Sequence, residues 1–253
     1  MAHEGRRADT RLVIALLLLA VAAGSGGAAL ERPEGGWDLR YLEQRQALAY
    51  VLFAHVVRIE AVTRLPPPFD PGHPKVEDGV GTVVAPGRLL TTARWLAEAD
   101  EVWLVLKDRR RLRARRLRVD PRADLALLAF DPKAATGLTP VPEVRPPPPP
   151  DPDTGAVEVV VPTTLIGMAP GIRIAAVRPE EAVLYVSGVG ANGLPAFDRW
   201  GRLVALVQRP TPARDRSVGI SGERIAAWLE AAAETRGSGG EEAPRTSAPP
   251  SAE

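Results

Sequence analysis

Between Gly188 and Val207 the chain reads GVGANGLPAFDRWGRLVALV, an order of residues that few folds accommodate. Glycines at 188, 190 and 193 bracket Asn192, so the backbone there can reach conformations closed to other residues. Pro195 follows almost at once and cannot donate to a central ladder. Asp198-Arg199-Trp200-Gly201 makes a second turn, and Leu203 to Val207 supplies a short strand. Asn-Gly by itself is the strongest short hairpin signal. An ordinary hairpin would run into alternating strand on both sides, whereas here glycines precede and a proline follows. The pattern favours a specialised loop.

The rest of the chain is written mostly in short strands. His55 to Val62 (HVVRIEAV) alternates in the period of two that a half-buried strand requires. Gly79 to Leu106 reads as strand, Pro-Gly turn, strand, short turn and strand, and Leu112, Ala114, Leu117 and Val119 give the apolar side of a hairpin. Ala156–Val161, Gly171–Val177, Ala182–Val186 and Ser217–Ile220 are further short strands between Pro and Gly turns. Helical periodicity occurs at the two ends of this array. Trp37 to Phe53 sets Trp37, Tyr41, Leu48 and Leu52 on one face, and Ser221 caps a helix whose Ile225, Trp228, Leu229 and Ala232 share another. Together these predict an all-β core with an N-terminal and a C-terminal helix.

The flanks read differently. Residues 1–29 place Arg6, Arg7 and Arg11 before the apolar run Leu12 to Ala23, with small residues after it. That is the pattern of an export signal; counted on through Leu30, it is also just long enough for an uncleaved membrane anchor. Residues 235–253 have no apolar periodicity and read as a disordered tail. Residues 134–153 hold five consecutive prolines, Pro146 to Pro150, and read as a linker. They divide a first half, 30–133, from a second, 154–234. A formal net charge of +1 gives no global field for nucleic acid. The absence of cysteine excludes disulfides and thiolate metal sites, and three histidines (His3, His55, His73) argue against a multi-histidine metal centre. No metal or other cofactor is expected.

Three segments resemble the trypsin-like serine proteases, nearest their HtrA-type branch. Leu90-Thr91-Thr92-Ala93-Arg94 is similar to the L-T-x-x-H that ends the second strand. Asp120-Pro121-Arg122-Ala123-Asp124-Leu125-Ala126-Leu127-Leu128 meets D-P-x-x-D-L-A-L-L, and Gly190 to Pro195 is similar to G-N-S-G-G-P. The resemblance spans His55 to Ala233 and implies two six-stranded antiparallel barrels. It sets Arg94, Asp124 and Asn192 against the catalytic triad, and Gly190 and Gly193 against the oxyanion-hole turn. Val207, Gln208 and Arg209 fall where a substrate strand would pair. No PDZ-type module is expected after the terminal helix.

Chemistry at those positions is incomplete. An amide cannot attack a carbonyl as a hydroxyl does, and an arginine, protonated throughout the physiological range, cannot take up a proton. Ser187, Ser217 and Ser221 lie off the motif, and neither His55 nor His73 sits where a base belongs. The resemblance therefore implies a catalytically inactive, exported homologue that binds a peptide or protein of the cell envelope, with Arg94 and Asp124 forming an ion pair in the old cleft. Two alternatives stand beside it. One is an active serine endopeptidase with an unconventional site. The other is a polyanion-binding module built on the eight cations Lys107, Arg109, Arg110, Arg111, Arg113, Arg115, Arg116 and Arg118. Such a run is also what a solvated hairpin face looks like, and it has no interleaved aromatic for specific nucleic-acid binding.

Overall fold

The structure, a computed structural model, describes residues 34–38, 41–64, 74–150, 152–153, 156–162, 171–178, 183–187, 192–208 and 216–237. The apolar leader, the tail beyond 237, His3, His73, Gly190 and Arg209 lie outside them. The described residues from Trp37 onward belong to one compact unit. No helix among the described residues is long and apolar enough to cross a membrane.

Among the described residues, twelve strands lie between two helices. Helix α1 (Leu42–Leu52) precedes β1 (Val56–Thr63), β2 (Lys75–Ala85) and β3 (Arg88–Thr91). A single 3-10 turn at Arg94–Leu96 leads to β4 (Glu101–Val105), β5 (Arg111–Asp120) and β6 (Leu125–Ala129). After the proline-rich segment come β7 (Ala156–Val161), β8 (Gly171–Arg178), β9 (Val183–Ser187), β10 (Leu194–Phe197), β11 (Leu203–Val207) and β12 (Arg216–Ser221), and α2 (Gly222–Gly237) ends the described chain. The strands close into two antiparallel barrels, ordered β1-β2-β3-β6-β5-β4 and β10-β11-β12-β9-β8-β7. Closure removes the free edges that open sheets expose.

Alternation fills the first barrel. Val57, Ile59 and Ala61 of β1 point inward with Val83, Leu89, Leu104, Ala126 and Leu128, all buried. The register sets Ile59 opposite Leu104. A second cluster, with Val159, Val161, Leu194, Ala196, Val204 and Val207, fills the other barrel. The third lies at the junction, where Leu48 and Leu52 of α1 and Trp228 of α2 meet Leu125, Phe197 and Leu206. Strand β11 is buried along its whole length because it serves two of these clusters.

The proline-rich segment is pinned rather than slack. Leu203 N–H donates to Glu143 O (3.0 Å) and Arg145 N–H to Leu203 O (2.9 Å), and Val141 is buried with its N–H on Val83 O. Two helix boundaries differ from the sequence reading. Helix α1 starts at Leu42 rather than near Trp37: its N-cap Tyr41 is extended (φ −96°, ψ +126°), and the Trp37 N–H donates to Arg199 O across the fold. Tyr41, expected on the apolar face, is 55% exposed. Helix α2 runs to Gly237, three residues past the boundary expected at 234.

Candidate functional site

The junction of the two barrels is built from three local devices. The first is the turn into β6. Asp120 Oδ1 accepts the N–H groups of Arg122 and Ala123 (3.0 Å each), which curls the chain and brings Asp124 round at φ +54°. Asp tolerates that left-handed conformation better than most residues. These bonds also hold the Asp120 carboxyl below the usual carboxylate range, the Ala123 N–H first, with Trp228 Nε1–H, Arg122 N–H and the Arg118 charge adding to it against partial desolvation.

The second device is the 3-10 turn after β3. Its first amides have no intrahelical acceptor, and Asp124 supplies one. Asp124 Oδ1 accepts Ala93 N–H (2.9 Å) and Arg94 N–H (2.7 Å), and Asp124 O takes a second share of Ala93 N–H (3.2 Å). Asp124 Oδ2 accepts Gln208 Nε2 from the end of β11 across the junction, at 2.6 Å. Asp124 as a residue is only 4% exposed. Three donors therefore surround a charge that would otherwise be costly to bury.

The third device is the loop at Asn192. Val80 N–H donates to Asn192 O (2.8 Å), and Gly79 and Asn192 form an isolated bridge, so this loop joins the second barrel to β2 of the first. Gly193 follows at φ +72°. A side chain there would meet Thr91 Oγ1 and Val80 O, so glycine is required by space as well as by conformation.

The structure brings Arg94, Asp124 and Asn192 to one junction but corrects three expectations about it. Arg94 and Asp124 make no ion pair. The arginine contributes its backbone N–H while its side chain is exposed, and among the described residues Asp124 has no cationic partner. Leaving the guanidinium in water avoids the desolvation that a buried pair would cost. Gly193 does not offer its amide to a cleft, because that N–H donates to Val207 O (3.1 Å) within the β10–β11 hairpin. Val207 is not at an edge either. It pairs with Leu194 on one side and Gly219 on the other and is fully buried. The ladder ends there, and Gln208 is the first residue beyond it.

Gln208 is what the sequence reading missed. It falls among the residues expected to pair with a substrate strand, yet its side chain is the carboxylate's third donor. The one signal available was its place immediately after a wholly buried strand. His55 immediately precedes β1, with Nδ1 2.9 Å from Thr139 O, and Ser221 caps α2 through a 3.4 Å bond from Arg224 N–H. Among the described residues no group of three His, Cys, Asp or Glu side chains is placed to hold a metal.

Part of the basic run finds partners within the fold. Arg110 pairs with Asp108, Arg111 with Glu60 and the Trp103 ring, and Arg116 donates to Ala99 O. Arg118 lies 4.4 Å from the Trp228 ring centre and donates to Trp228 O. Lys107, Arg109, Arg113 and Arg115 make no ion pair among the described residues.

Two closed barrels with a carboxylate buried at their seam define a protein of the two-barrel peptidase class. The trypsin-like peptidase domain matches residues 79–206, half of the chain, and the chain belongs to that family. Among solved structures it is similar to an HtrA-type protease, AlgW, with a decapeptide. The two share 17% identity and a TM-score of 0.55, over 75% of this chain and 67% of that one. At that identity the likeness concerns the fold. No curated protein matches the chain significantly.

Proposed function

We propose that this chain is a catalytically inactive trypsin-like serine protease homologue, exported from the cytoplasm, that binds an extended peptide or a protein segment in the envelope. The observation that carries the first part is the occupancy of Asp124: two backbone amides and the Gln208 amide take its oxygens, with no imidazole among its partners. In a working triad the carboxylate orients a histidine that relays a proton from a hydroxyl. At the two remaining positions stand Arg94, which cannot accept a proton, and Asn192, which has no hydroxyl.

Peptide binding needs no catalysis. A backbone that leaves its ladder at Gln208, beside an exposed Arg94, supports pairing with an extended partner by β-augmentation. The HtrA-type relative solved with a decapeptide supports the same reading. Export rests on the basic-flanked apolar run Leu12 to Ala23.

The test is a fluorophosphonate probe and a casein-turnover assay on the purified chain, run beside anisotropy titrations with a library of labelled decapeptides. The proposal expects no labelled serine, no turnover, and saturable binding of a subset of peptides. Turnover that vanishes on mutation of one junction side chain would reject it, as would a library in which no peptide binds.

A further inference from the structure

Away from the seam, at one end of the first barrel, the β4–β5 hairpin and the loop at Thr136–Leu138 line an open-mouthed cavity of about 330 Å³. That is the lower end of the range for small-ligand sites, ~300–1,000 Å³. Its wall is apolar where Val56, Leu106 and Leu138 line it. Four charged residues line it as well, and they divide into two kinds. Arg58 is bonded to Asp78 (2.8 Å) and Asp108 to Arg110 (2.6 Å), so each has its counter-charge. Lys107 and Arg109 have no anionic partner among the described residues. The Lys107 ammonium has only the face of Phe53, 5.7 Å away. Although the residue as a whole is exposed, desolvation pushes that group below the usual lysine range.

The hairpin turn carries a second anomaly. Leu106 N–H donates to Arg110 O and Arg109 N–H to Leu106 O, a five-residue closure that sets Arg109 at φ +67°. This is the left-handed position that hairpins of this kind ordinarily give to glycine. Arginine there is held against its backbone preference, and the result is a guanidinium-bearing residue on the wall of a cavity that already holds an uncompensated ammonium.

We infer that this cavity is a binding site for an aliphatic carboxylate, with the branched apolar body against Val56, Leu106 and Leu138 and the carboxylate between Lys107 and Arg109. The same chemistry is presented by a free short-chain acid and by the C-terminal residue of a peptide ending in leucine. The site is separate from the seam at Asp124 and does not depend on peptide binding there.

The experiment is a titration of the isotope-labelled protein with isovalerate, followed by amide chemical shifts. Saturable shifts at Val56, Val57 and Thr136–Leu138 are expected, with a Kd on the order of 1 mM or tighter for so small a ligand. Lys107→Met and Arg109→Gly should each weaken binding about tenfold, the scale of one charge-assisted hydrogen bond. Arg109→Gly should at the same time raise the melting temperature by relieving the turn, so its lost affinity cannot be ascribed to unfolding. Isoamyl alcohol, which keeps the body and lacks the charge, should bind about tenfold more weakly or worse. A peptide ending in Leu, compared with its amidated form, separates the two sources: binding of either the acid or the free-carboxylate peptide supports the inference. No saturable shift with either ligand overturns it, and so does binding unchanged in both variants.

Discussion

Replacing Asp124 tests whether its buried carboxylate carries structure at the junction. In Asp124→Ala the Arg94 N–H loses its acceptor, whereas Ala93 N–H keeps Asp124 O at 3.2 Å and Gln208, half-exposed, turns to water. One orphaned amide costs about 1–3 kcal/mol, and the two lost bonds that are partly compensated add about 1 kcal/mol between them. An alanine at φ +54° adds about 1 kcal/mol more, because the left-handed region suits Asp and Asn better than Ala. The sum is ~3–5 kcal/mol. Asp124→Asn keeps an oxygen for both amides and the left-handed tolerance. Gln208 can rotate its own amide oxygen toward the new NH₂, so the expected loss is ~1–2 kcal/mol. Urea unfolding at pH 7, compared at equal m-values, reads both. An alanine variant within about 1 kcal/mol of the parent, or an asparagine variant as unstable as the alanine one, would refute the argument.

Three further outcomes follow from the same contacts. Gly193→Ala should destabilise by about 3 kcal/mol or more, or fail to accumulate, since its Cβ meets Val80 O and Thr91 Oγ1 at φ +72°; urea midpoints decide this. Gly222→Ala, whose Cβ would strike the backbone carbonyl of Arg145, should unpin the proline-rich segment, read as faster protease cleavage after residue 145. Asp120 gives a pH signature. Its folded pKa lies below the 3.8 of a free carboxyl, so the stability it adds is fully present above that value and is lost as pH falls through the folded pKa. The gap in melting temperature between the parent and Asp120→Asn should thus hold at pH 7 and close in acid. Trp228→Phe, which removes one of the donors to Asp120, should shift the closure to higher pH.

The fold was legible where one physical rule dominated. Alternation in HVVRIEAV gave β1, and a carboxylate-led turn before Leu-Ala-Leu-Leu gave β6, a strand buried on both faces. Errors arose where two rules share a spacing. Trp37 and Tyr41 stand four apart, as on a helix face, but the backbone at Tyr41 is extended (ψ +126°) and the helix starts at Leu42. Asp124 and Arg94 suggest opposite charges in contact, and nothing in the residue types says that the backbone of Arg94 would approach instead of its side chain. Barrel closure hid the status of Val207, since a strand's end reads the same whether one neighbour flanks it or two. The turn Leu106–Arg110 carried no glycine, so its left-handed residue was invisible until the dihedral placed it at Arg109.

The seam also divides its duties unequally between backbone and side chains. The contribution of Arg94 to the junction is its N–H, and that of Asn192 is chiefly its C=O, on Val80 N–H, and its bridge to Gly79. The Asn192 amide reaches Asp78 O only at 3.5 Å, the outer limit of a hydrogen bond. Backbone contributions survive any substitution other than proline, so the side chains at these two positions are free of structural duty. Asp124 is the reverse: its carboxylate ties the 3-10 turn of one barrel to Gln208, just beyond β11, in the other. Arg94→Ala and Asn192→Ser should accordingly each leave stability within about 0.5–1 kcal/mol of the parent, against several for Asp124→Ala in the same urea series. If either of the first two proves as costly as the third, the side chain it removes carries structure, and the division between backbone and carboxylate is wrong.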